Sequence, residues 1–286
     1  MTVLIINSQS GDAEQDLAFW RRHLQAAGLS GFDEVDFQED DWRDAVRKDR
    51  LVVAAGGDGT ISAVAGACVE ADAVLAVLPS GTANDFARSL GVEADAETAC
   101  RIAADGPERC VDVGVVDGRV FINIVHIGLG AEASAHVDEA AKSDWGDLSY
   151  VRSLVEKLGD DSGFSATVHI DDERLEGAWL ELGAANGSFY GGGHRVPGAM
   201  PDDGVLNFFG VHPDHAANLA VEYAKVRLLG PEEGSSELLE HRRFRHCRIE
   251  TESPQPVTAD GEEVGHTPVE IEIRVGALRV RVPNAD

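Results

Sequence analysis

Long apolar runs are missing from this sequence. Apolar stretches such as Leu51 to Ala55 and Phe121 to Leu129 fall well short of the ~18 to 20 residues that cross a bilayer. Hydrophobic residues still make up 43% of the 286 residues, which is typical of a globular protein. The sequence therefore predicts a folded chain with no transmembrane helix. Since no basic segment precedes the strand-like pattern at Met1 to Ile6, we expect a cytoplasmic protein.

Cysteine motifs are also lacking. The four cysteines show neither a CxxC pair nor histidines at zinc-site spacing. We expect buried, reduced thiols at Cys68, Cys100, Cys110 and Cys247.

Positive charge is scarce. The chain has 24 Lys and Arg against 51 Asp and Glu, a net charge of -27, so nucleic acid is not an expected partner. Such an excess of carboxylates is tolerated where salt screens it, and we predict a halophilic protein from a high-salt cytoplasm. The one basic cluster, Arg242 to Arg248, is either a contact for anionic lipid or, as we favour, a solvated strand paired with acids.

The first third of the chain alternates short apolar runs with helical patterns. The runs Val3 to Ile6, Leu51 to Ala55 and Val74 to Leu78 are typical of buried parallel strands, and each precedes apolar residues at helical spacing. This βα alternation predicts a doubly wound α/β domain over residues 1–110. The C-terminal segment from about residue 278 to 286 is a further candidate part of that domain.

After residue 110, period-two alternation predicts a mostly antiparallel β-sandwich domain over residues 111–277. Phe164 to Ile170 and Val269 to Val275 carry this alternation. We predict turns at Asp117–Gly118, Asp202–Gly204 and Gly276. We predict helices at Leu148–Leu158 and Asp214–Leu229.

A glycine-rich loop lies between a predicted strand and a predicted helix. It consists of Gly56, Gly57, Asp58, Gly59 and Thr60. Backbone N–H groups at the start of a helix bind anions, and glycine permits close approach of phosphate oxygens and positive φ angles. No lysine follows the last glycine, so the loop is not a Walker A motif. The loop predicts phosphate binding.

Two more loops follow strands at the same sheet edge. Pro79 to Phe86 follows the third strand, with Ser80 or Thr82 as the expected N-cap, and Asn7 to Gly11 follows the first. Ligands of open α/β sheets bind at the carboxyl ends of the strands. We therefore expect these loops to face one nucleotide.

These motifs together resemble the diacylglycerol kinase catalytic-domain family, in its prokaryotic lipid-kinase branch related to sphingosine kinases. The resemblance includes GGDGT at Gly56 to Thr60, PSGTANDFAR at Pro79 to Arg88, and Asn123 to Gly128. It runs nearly end to end, through Asn186–Gly187, Gly191–Gly193, Pro197, Asp202–Gly204 and Asp260–Glu262.

The resemblance implies a two-domain kinase that uses ATP and Mg²⁺. The ATP contacts that it implies are Asn7, Ser10, Gly56, Gly57, Asp58, Gly59, Thr60, Ile61, Ser62 and Thr82. Asp260 or Glu262 would accept the proton from the substrate hydroxyl, and Asp58 would orient groups or hold a metal. A structural Mg²⁺ would be held by Asp203 with backbone oxygens near Met200 and Val205.

The family implies that the phosphate acceptor is a lipid hydroxyl. The lipid would come from a membrane whose inner face the protein contacts transiently. Two alternatives stay open: an enzyme similar to NAD kinases, which share GGDGT, and a regulator that binds nucleotide or lipid without turnover. A homodimer through exposed sheet edges is a further hypothesis.

Overall fold

A computed structural model describes residues 2–9, 15–39, 41–128, 131, 163–190, 193–196, 198–214, 218 and 238–284. The chain divides into two compact units. The first consists of Met1–Asn123, Asn186–Gly204 and Ile273–Asp286, and the second of Ile124–Ala185 and Val205–Glu272. Strands and helices are numbered below in chain order.

The first unit is built on a mainly parallel sheet. Its strands are β1 (Thr2–Ile6), β2 (Asp33–Asp36), β3 (Leu51–Gly56), β4 (Val74–Pro79) and the end of β18 (Val269–Arg281). They pair in the order β2-β1-β3-β4-β18, and each of these pairs is parallel. All of β4 and all but the first residue of β3 are buried, as expected for parallel strands covered on both faces. The three predicted strands are confirmed.

The order β2-β1-β3 creates a switch point in this sheet. After β1 the chain passes to β2 on one side, and it then returns to β3 on the other side of β1. Connections that leave in opposite directions open a crevice at the carboxyl ends of the strands, where ligands of such folds bind. The loops after β1 and β3 therefore begin at the expected ligand edge.

The described part of the first unit also contains four α-helices, a short 3-10 helix (Trp42–Ala45) and a β-hairpin. The helices are α1 (Leu17–Ala26), α2 (Asp58–Ala71), α3 (Asp85–Ser89) and α4 (Ala96–Asp105). The hairpin joins β5 (Glu108–Val116), which also pairs with β18, to β6 (Arg119–Phe121). The predicted apolar positions face the core, since Trp20 and Leu24 in α1 and Ile61, Val64 and Cys68 in α2 are buried.

The second unit contains two antiparallel sheets. One pairs the start of β18 with β15 (His246–Thr251), β8 (Phe164–Ile170) and β9 (Glu173–Trp179). The other has the order β14 (Leu239–Phe244), β13 (Leu206–Val211), β10 (Glu181–Ala185), β7 (Ile124–Gly128), β16 (Pro256–Ala259) and β17 (Glu262–His266). This arrangement confirms the predicted fold class, an α/β domain followed by an antiparallel β-sandwich.

Side chains from the two sheets of the second unit pack together. The ring of Trp179 in β9 lies edge-to-face against Phe208 in β13, with 6.4 Å between the ring centroids. Phe208 and its neighbours on the same face of the second sheet are buried apolar residues: Val125, Ile127, Leu182, Ala184, Val257 and Ala259. This apolar face is one side of the sandwich interior.

Residues 186–204 group with the first unit, although they lie in the sequence range predicted for the β domain. Asn186 explains part of this placement, because its side-chain amide donates to the carbonyl oxygens of Asp112 and Ile122 at 3.1 Å each. The segment also contains the short hairpin of β11 (Phe189–Tyr190) and β12 (His194–Arg195). Such long-range bonds have no local signature in a sequence.

The predicted turn at Gly276 is wrong. β18 continues through this residue, which has a φ of +61° and donates its N–H to Asp112 Oδ1 at 2.7 Å. The turns at Asp117–Gly118 and Asp202–Gly204 are confirmed. The predicted helix at 148–158 lies outside the described residues, as does that at 214–229 except for Asp214 and Asn218.

The cysteine prediction holds for three of the four residues. Burial raises the pKa of Cys68, Cys100 and Cys247 to about 12, so these thiols stay protonated. Cys110 is exposed, and the expectation that it is buried was wrong. Its neighbour Arg109 lies at the surface with it, at the partly exposed start of β5.

The basic cluster in β14 and β15 is paired with acids. Arg242 lies 2.8 Å from Glu240, and Arg248 lies 2.9 Å from both Glu250 and Glu270. These pairs agree with the interpretation of the cluster as a solvated strand. In the described part of the chain, no helix has the length and apolar character needed to cross a membrane.

Candidate functional site

The glycine-rich loop joins β3 directly to α2. β3 ends at Gly56, and Gly57 is the N-cap of α2, with extended dihedrals of -84° and -178° and no side chain to cap the helix. The first N–H groups of this 14-residue helix thus have no side-chain cap among the described residues. They form the positively polarised end of the helix, as an anion site requires. The expected positive φ in this loop was wrong, because Gly56, Gly57 and Gly59 all have ordinary backbone angles.

The glycines of this region differ in whether the packing of the chain requires them. A Cβ on Gly56 would lie 2.6 Å from Thr60 Cβ, and one on Gly81 would lie 2.6 Å from Gly57 Cα. These two glycines therefore allow the chain to pack on itself. A Cβ on Gly59 would meet nothing within 4 Å, so no contact with the residues that the structure describes demands glycine there.

Asn7 ties the loop after β1 to the start of α2. Its side-chain amide donates to Thr60 Oγ1 at 2.8 Å, and its Oδ1 accepts from Gln9 N and Gln38 Nε2 at 3.1 Å each. The ends of β1, β2 and β3 are thereby linked through one asparagine. Gln38 was not among the residues predicted to lie at this edge.

Asp58 clamps the second loop to the first. Its two carboxylate oxygens accept the backbone N–H groups of Asn84 and Asp85, at 2.8 and 2.7 Å. Asp58 thus supplies the acceptors at the start of α3, and the N-cap of that helix is Asn84 with a φ of +52°. The expected N-cap at Ser80 or Thr82 was wrong, because a carboxylate 26 residues away in sequence takes that role.

The second loop is fixed from two further directions. Asn84 folds back on Gly81, donating to its carbonyl oxygen and accepting from its N–H at 2.6 and 3.0 Å. Asp85, which is buried, accepts the N–H of Gly193 at 2.7 Å. Asp85 and Gly193 were named only as parts of longer motifs, and their contact joins segments 108 residues apart.

The remaining predicted nucleotide contacts differ in accessibility. Thr82 is exposed, Ser62 is partly buried and Ile61 is buried, so Ile61 can offer only its backbone. Ser10 lies outside the described residues. The first unit therefore brings Asn7, the glycine loop and the second loop to one edge of its sheet.

The predicted catalytic residues lie at a hairpin of the second unit. Asp260 and Gly261 form the turn between β16 and β17, with φ angles of +49° and +87°. Asp260 Oδ1 accepts the N–H of Ile124 at 3.0 Å, and its own N–H donates to the Ile124 carbonyl at 2.9 Å. Glu262, the first residue of β17, is exposed. One carboxylate oxygen of Asp260 is thus occupied by a hydrogen bond to the backbone, whereas Glu262 is exposed to solvent.

The turn that carries the candidate magnesium ligand Asp203 is held by Asp112. This buried carboxylate accepts the N–H of Gly204 at 2.7 Å, and the Asp112 N–H donates to the Pro201 carbonyl at 2.7 Å. Asp203 is half-buried, and Met200 is 55% exposed.

No group of three or more His, Cys, Asp or Glu side chains suited to a metal occurs in the part of the chain that the structure describes. One carboxylate with main-chain carbonyls, at Met200 and Val205, is a hard oxygen set that fits Mg²⁺ in kind.

Family models match almost the whole chain. Residues 1–116 match the diacylglycerol kinase catalytic domain, and residues 123–282 match the YegS C-terminal NAD kinase beta sandwich-like domain. This chain belongs to the diacylglycerol kinase family. The two matched regions correspond in order to the α/β fold and the β-sandwich described above.

Relatives in the diacylglycerol kinase family carry lipid-kinase names. A Pseudomonas aeruginosa (strain UCBPP-PA14) protein named "Probable lipid kinase YegS-like" is 32% identical over 237 residues, covering 81% of this chain and 76% of that protein. A Pseudomonas fluorescens (strain Pf-5) protein of the same name is 34% identical over 235 residues, covering 81% and 77%. A crystal structure described as a diacylglycerol kinase from Bacillus anthracis str. Sterne is 26% identical, with a TM-score of 0.79 and coverage of 98% and 96%.

Proposed function

We propose that this member of a kinase family is an ATP-dependent lipid kinase that transfers the γ-phosphate of ATP to a lipid hydroxyl. The observation that carries the proposal is the open position of Gly59 at the uncapped start of α2. A glycine that no described residue requires, at the start of a helix whose N-cap residue has no side chain to cap it, suits the close approach of phosphate oxygens. The lipid-kinase names of the curated relatives support the acceptor class.

The donor side is assigned to the first unit. Backbone N–H groups of Gly59 and Thr60 would bind the ATP phosphates, with Ser10, Ile61, Ser62 and Thr82 completing the nucleotide contacts. Asn7 would act by holding Thr60, and Asp58 by fixing the second loop, since both of its oxygens already accept backbone N–H groups.

The base is assigned to Glu262 in preference to Asp260. Glu262 is exposed, whereas Asp260 holds the backbone of Ile124. In the reaction, the Glu262 carboxylate accepts the hydroxyl proton while the hydroxyl oxygen forms a bond to the γ-phosphorus. The bond between that phosphorus and the β–γ bridging oxygen breaks, and ADP leaves with the electron pair.

Mg²⁺ would supply charge neutralisation on the ATP phosphates, and a second Mg²⁺ at Asp203, with carbonyls of Met200 and Val205, would stabilise the turn. The enzyme would meet its substrate at the inner face of a membrane, through transient contact. Cytoplasmic location and the role of the protein in phospholipid synthesis belong to the same proposal.

Incubation with γ-labelled ATP and separate acceptors tests the proposal. Dioctanoylglycerol, sphinganine and undecaprenol represent lipid hydroxyls, and NAD represents the NAD kinase alternative. We expect label in at least one lipid and none in NAD. Label in NAD alone contradicts the proposal and favours the NAD kinase alternative. ATP binding with no transfer to any acceptor also contradicts it and favours a regulator without turnover.

Amide substitutions test the base. Glu262→Gln should lower kcat by about 10²- to 10⁴-fold, the usual contribution of a general base, with little change in ATP affinity. Glu263→Gln is the matched control, since Glu263 is the adjacent exposed carboxylate of β17, and it should keep wild-type turnover. Equal activity of the two variants would remove Glu262 from the mechanism, and a large loss in Asp260→Asn alone would move the role to Asp260.

A further inference from the structure

The loop that follows β2 begins at the same edge of the first unit's sheet as the glycine-rich loop. Asp36, the last residue of β2, pairs with Ile6 in β1, and Ile6 pairs with Ala55 in β3. Neighbouring strands lie about 4.8 Å apart, so the ends of β2 and β3 are about 10 Å from each other. A ligand held at the start of α2 can therefore extend across the end of β1 to the loop after β2.

The other side of the glycine-rich loop is occupied by the loop after β4. A Cβ on Gly81 would lie 2.6 Å from Gly57 Cα, so these two loops are in direct contact. The Asp58 carboxylate also binds the N–H groups of Asn84 and Asp85. A nucleotide whose phosphates bind at the start of α2 therefore has its nucleoside on the side of β1 and β2.

Gln38 is an exposed residue of the loop after β2. This loop is held by its own hydrogen bonds, because the Gln38 N–H donates to Asp36 Oδ1 at 2.9 Å and the Glu39 N–H donates to the Asp36 carbonyl at 3.0 Å. Gln38 Nε2 donates to Asn7 Oδ1 at 3.1 Å. The Gln38 amide is therefore held beside Asn7, which in turn donates to Thr60 at the start of α2.

The hydrogen bonds of Asn7 determine how the Gln38 amide is oriented. Asn7 Oδ1 accepts the backbone N–H of Gln9 at 3.1 Å, and a backbone N–H can only donate, so this atom of Asn7 must be its oxygen. Gln38 must then present its NH₂ group to Asn7. Its Oε1 has no hydrogen-bond partner among the residues that the structure describes. Gln38 therefore offers a fixed carbonyl acceptor close to the proposed phosphate site.

The ribose of a nucleotide carries donors that suit this acceptor. It is joined directly to the phosphates, so it is the first part of the nucleoside beyond them, and its hydroxyls donate hydrogen bonds. In doubly wound folds that bind dinucleotides, a side-chain acceptor binds a ribose hydroxyl in this way. The amide oxygen of Gln38 is neutral, and unlike a carboxylate it would not repel the nearby phosphates.

We infer that Gln38 is a specificity-determining residue whose Oε1 accepts a hydrogen bond from a ribose hydroxyl of the phosphate donor. The enzyme thus selects a ribonucleotide over a nucleotide that lacks these hydroxyls. The inference rests on the proposed function, because it takes ATP, bound at the start of α2, as the donor.

Calorimetric titration with three nucleotides tests the inference. They are ATP, 2′,3′-dideoxy-ATP, which lacks both hydroxyls, and inosine triphosphate, which keeps both hydroxyls but lacks the 6-amino group of adenine. We expect the wild type to bind dideoxy-ATP at least about tenfold more weakly than ATP, the equivalent of one hydrogen bond of about 1.4 kcal/mol. Gln38→Met, which keeps the side-chain length but not the amide, should weaken binding of ATP and inosine triphosphate about tenfold. It should leave the affinity for dideoxy-ATP unchanged, because that nucleotide has no hydroxyl to lose.

Gln25→Met is the matched control. Gln25 is also an exposed glutamine of the first unit, and it is the second-last residue of α1. Because β1 and β2 are parallel, α1 returns from the carboxyl end of β1 to the start of β2. Gln25 therefore lies toward the opposite edge of the sheet, and its variant should keep wild-type affinity for all three nucleotides.

The outcomes separate the inference from the proposed function. Equal wild-type affinity for ATP and dideoxy-ATP overturns the inference alone, as does unchanged ATP affinity in Gln38→Met. An equal loss for all three nucleotides in Gln38→Met also overturns it, because Gln38 would then only connect the two loops. A loss that spares inosine triphosphate overturns it in favour of a bond to the adenine amino group. A wild type that discriminates as expected but transfers phosphate to no lipid overturns the proposed function and leaves the role of Gln38 intact.

Discussion

Gly59 and Gly81 lie in neighbouring loops but are constrained by different neighbours. At Gly81 a Cβ would press on the backbone of Gly57, whereas at Gly59 it would project into open space. Gly81 thus allows the two loops to pack closely. In our proposal, Gly59 leaves room for a phosphate.

Substituting each glycine by alanine separates these roles. Gly81→Ala should destabilise the protein by about 1–3 kcal/mol, as overpacking does. Gly59→Ala should leave stability unchanged or slightly raised, since alanine suits a helix better than glycine, but should weaken ATP binding about tenfold or more. Thermal melting and calorimetric ATP titration measure the two effects. Unchanged ATP affinity in Gly59→Ala would count against phosphate binding at this loop.

α3 shows how a short element can depend on a distant residue. The helix has only five residues, and its N-cap Asn84 makes no side-chain capping bond. Its first N–H groups are satisfied by the carboxylate of Asp58, which is itself the first residue of α2. The two loops at the ligand edge are therefore mechanically connected through one side chain.

Asp58→Asn should loosen α3. An asparagine presents only one oxygen, so one of the two N–H donors would face an NH₂ group, at a cost of about 1–3 kcal/mol. We expect faster amide hydrogen exchange in the peptide spanning residues 79–90, together with weaker ATP binding. Glu70→Gln, an exposed carboxylate in the same helix, is the control. Wild-type exchange in this peptide would show that the clamp contributes little.

The whole molecule carries a large excess of negative charge. With 51 acidic and 24 basic residues the chain carries a net charge of -27, and several of its arginines are already paired. Arg279 alone contacts Asp49 and Glu108, at 2.8 and 3.0 Å. Unpaired carboxylates repel one another in the folded state, and salt screens that repulsion.

Stability should therefore rise with salt. Between about 0.1 M and about 1 M KCl the Debye length falls from about 10 Å to about 3 Å, so we expect the melting temperature to increase over this range. Sorbitol at matched osmolality serves as the uncharged control and should produce a smaller increase. A melting temperature that is flat or falls with KCl would contradict the high-salt hypothesis.

Features that depend on local pattern could be predicted from the sequence. Apolar runs located β1, β3 and β4, because strands buried on both faces must be apolar throughout. The glycines after β3 located the start of α2, and alternation located β8. The quoted motifs identified the family, which the family models and relatives then confirmed.

Which atoms contact one another depends on the three-dimensional fold. The clamp from Asp58 to Asn84 and Asp85, and the contact of Asp85 with Gly193, join residues 26 to 108 positions apart. No periodicity encodes these contacts, because hydrogen-bond partners across a fold are fixed by how elements pair and pack. The sequence located the candidate site residues on particular strands, helices and loops, and the structure identified the hydrogen-bond partners of these residues.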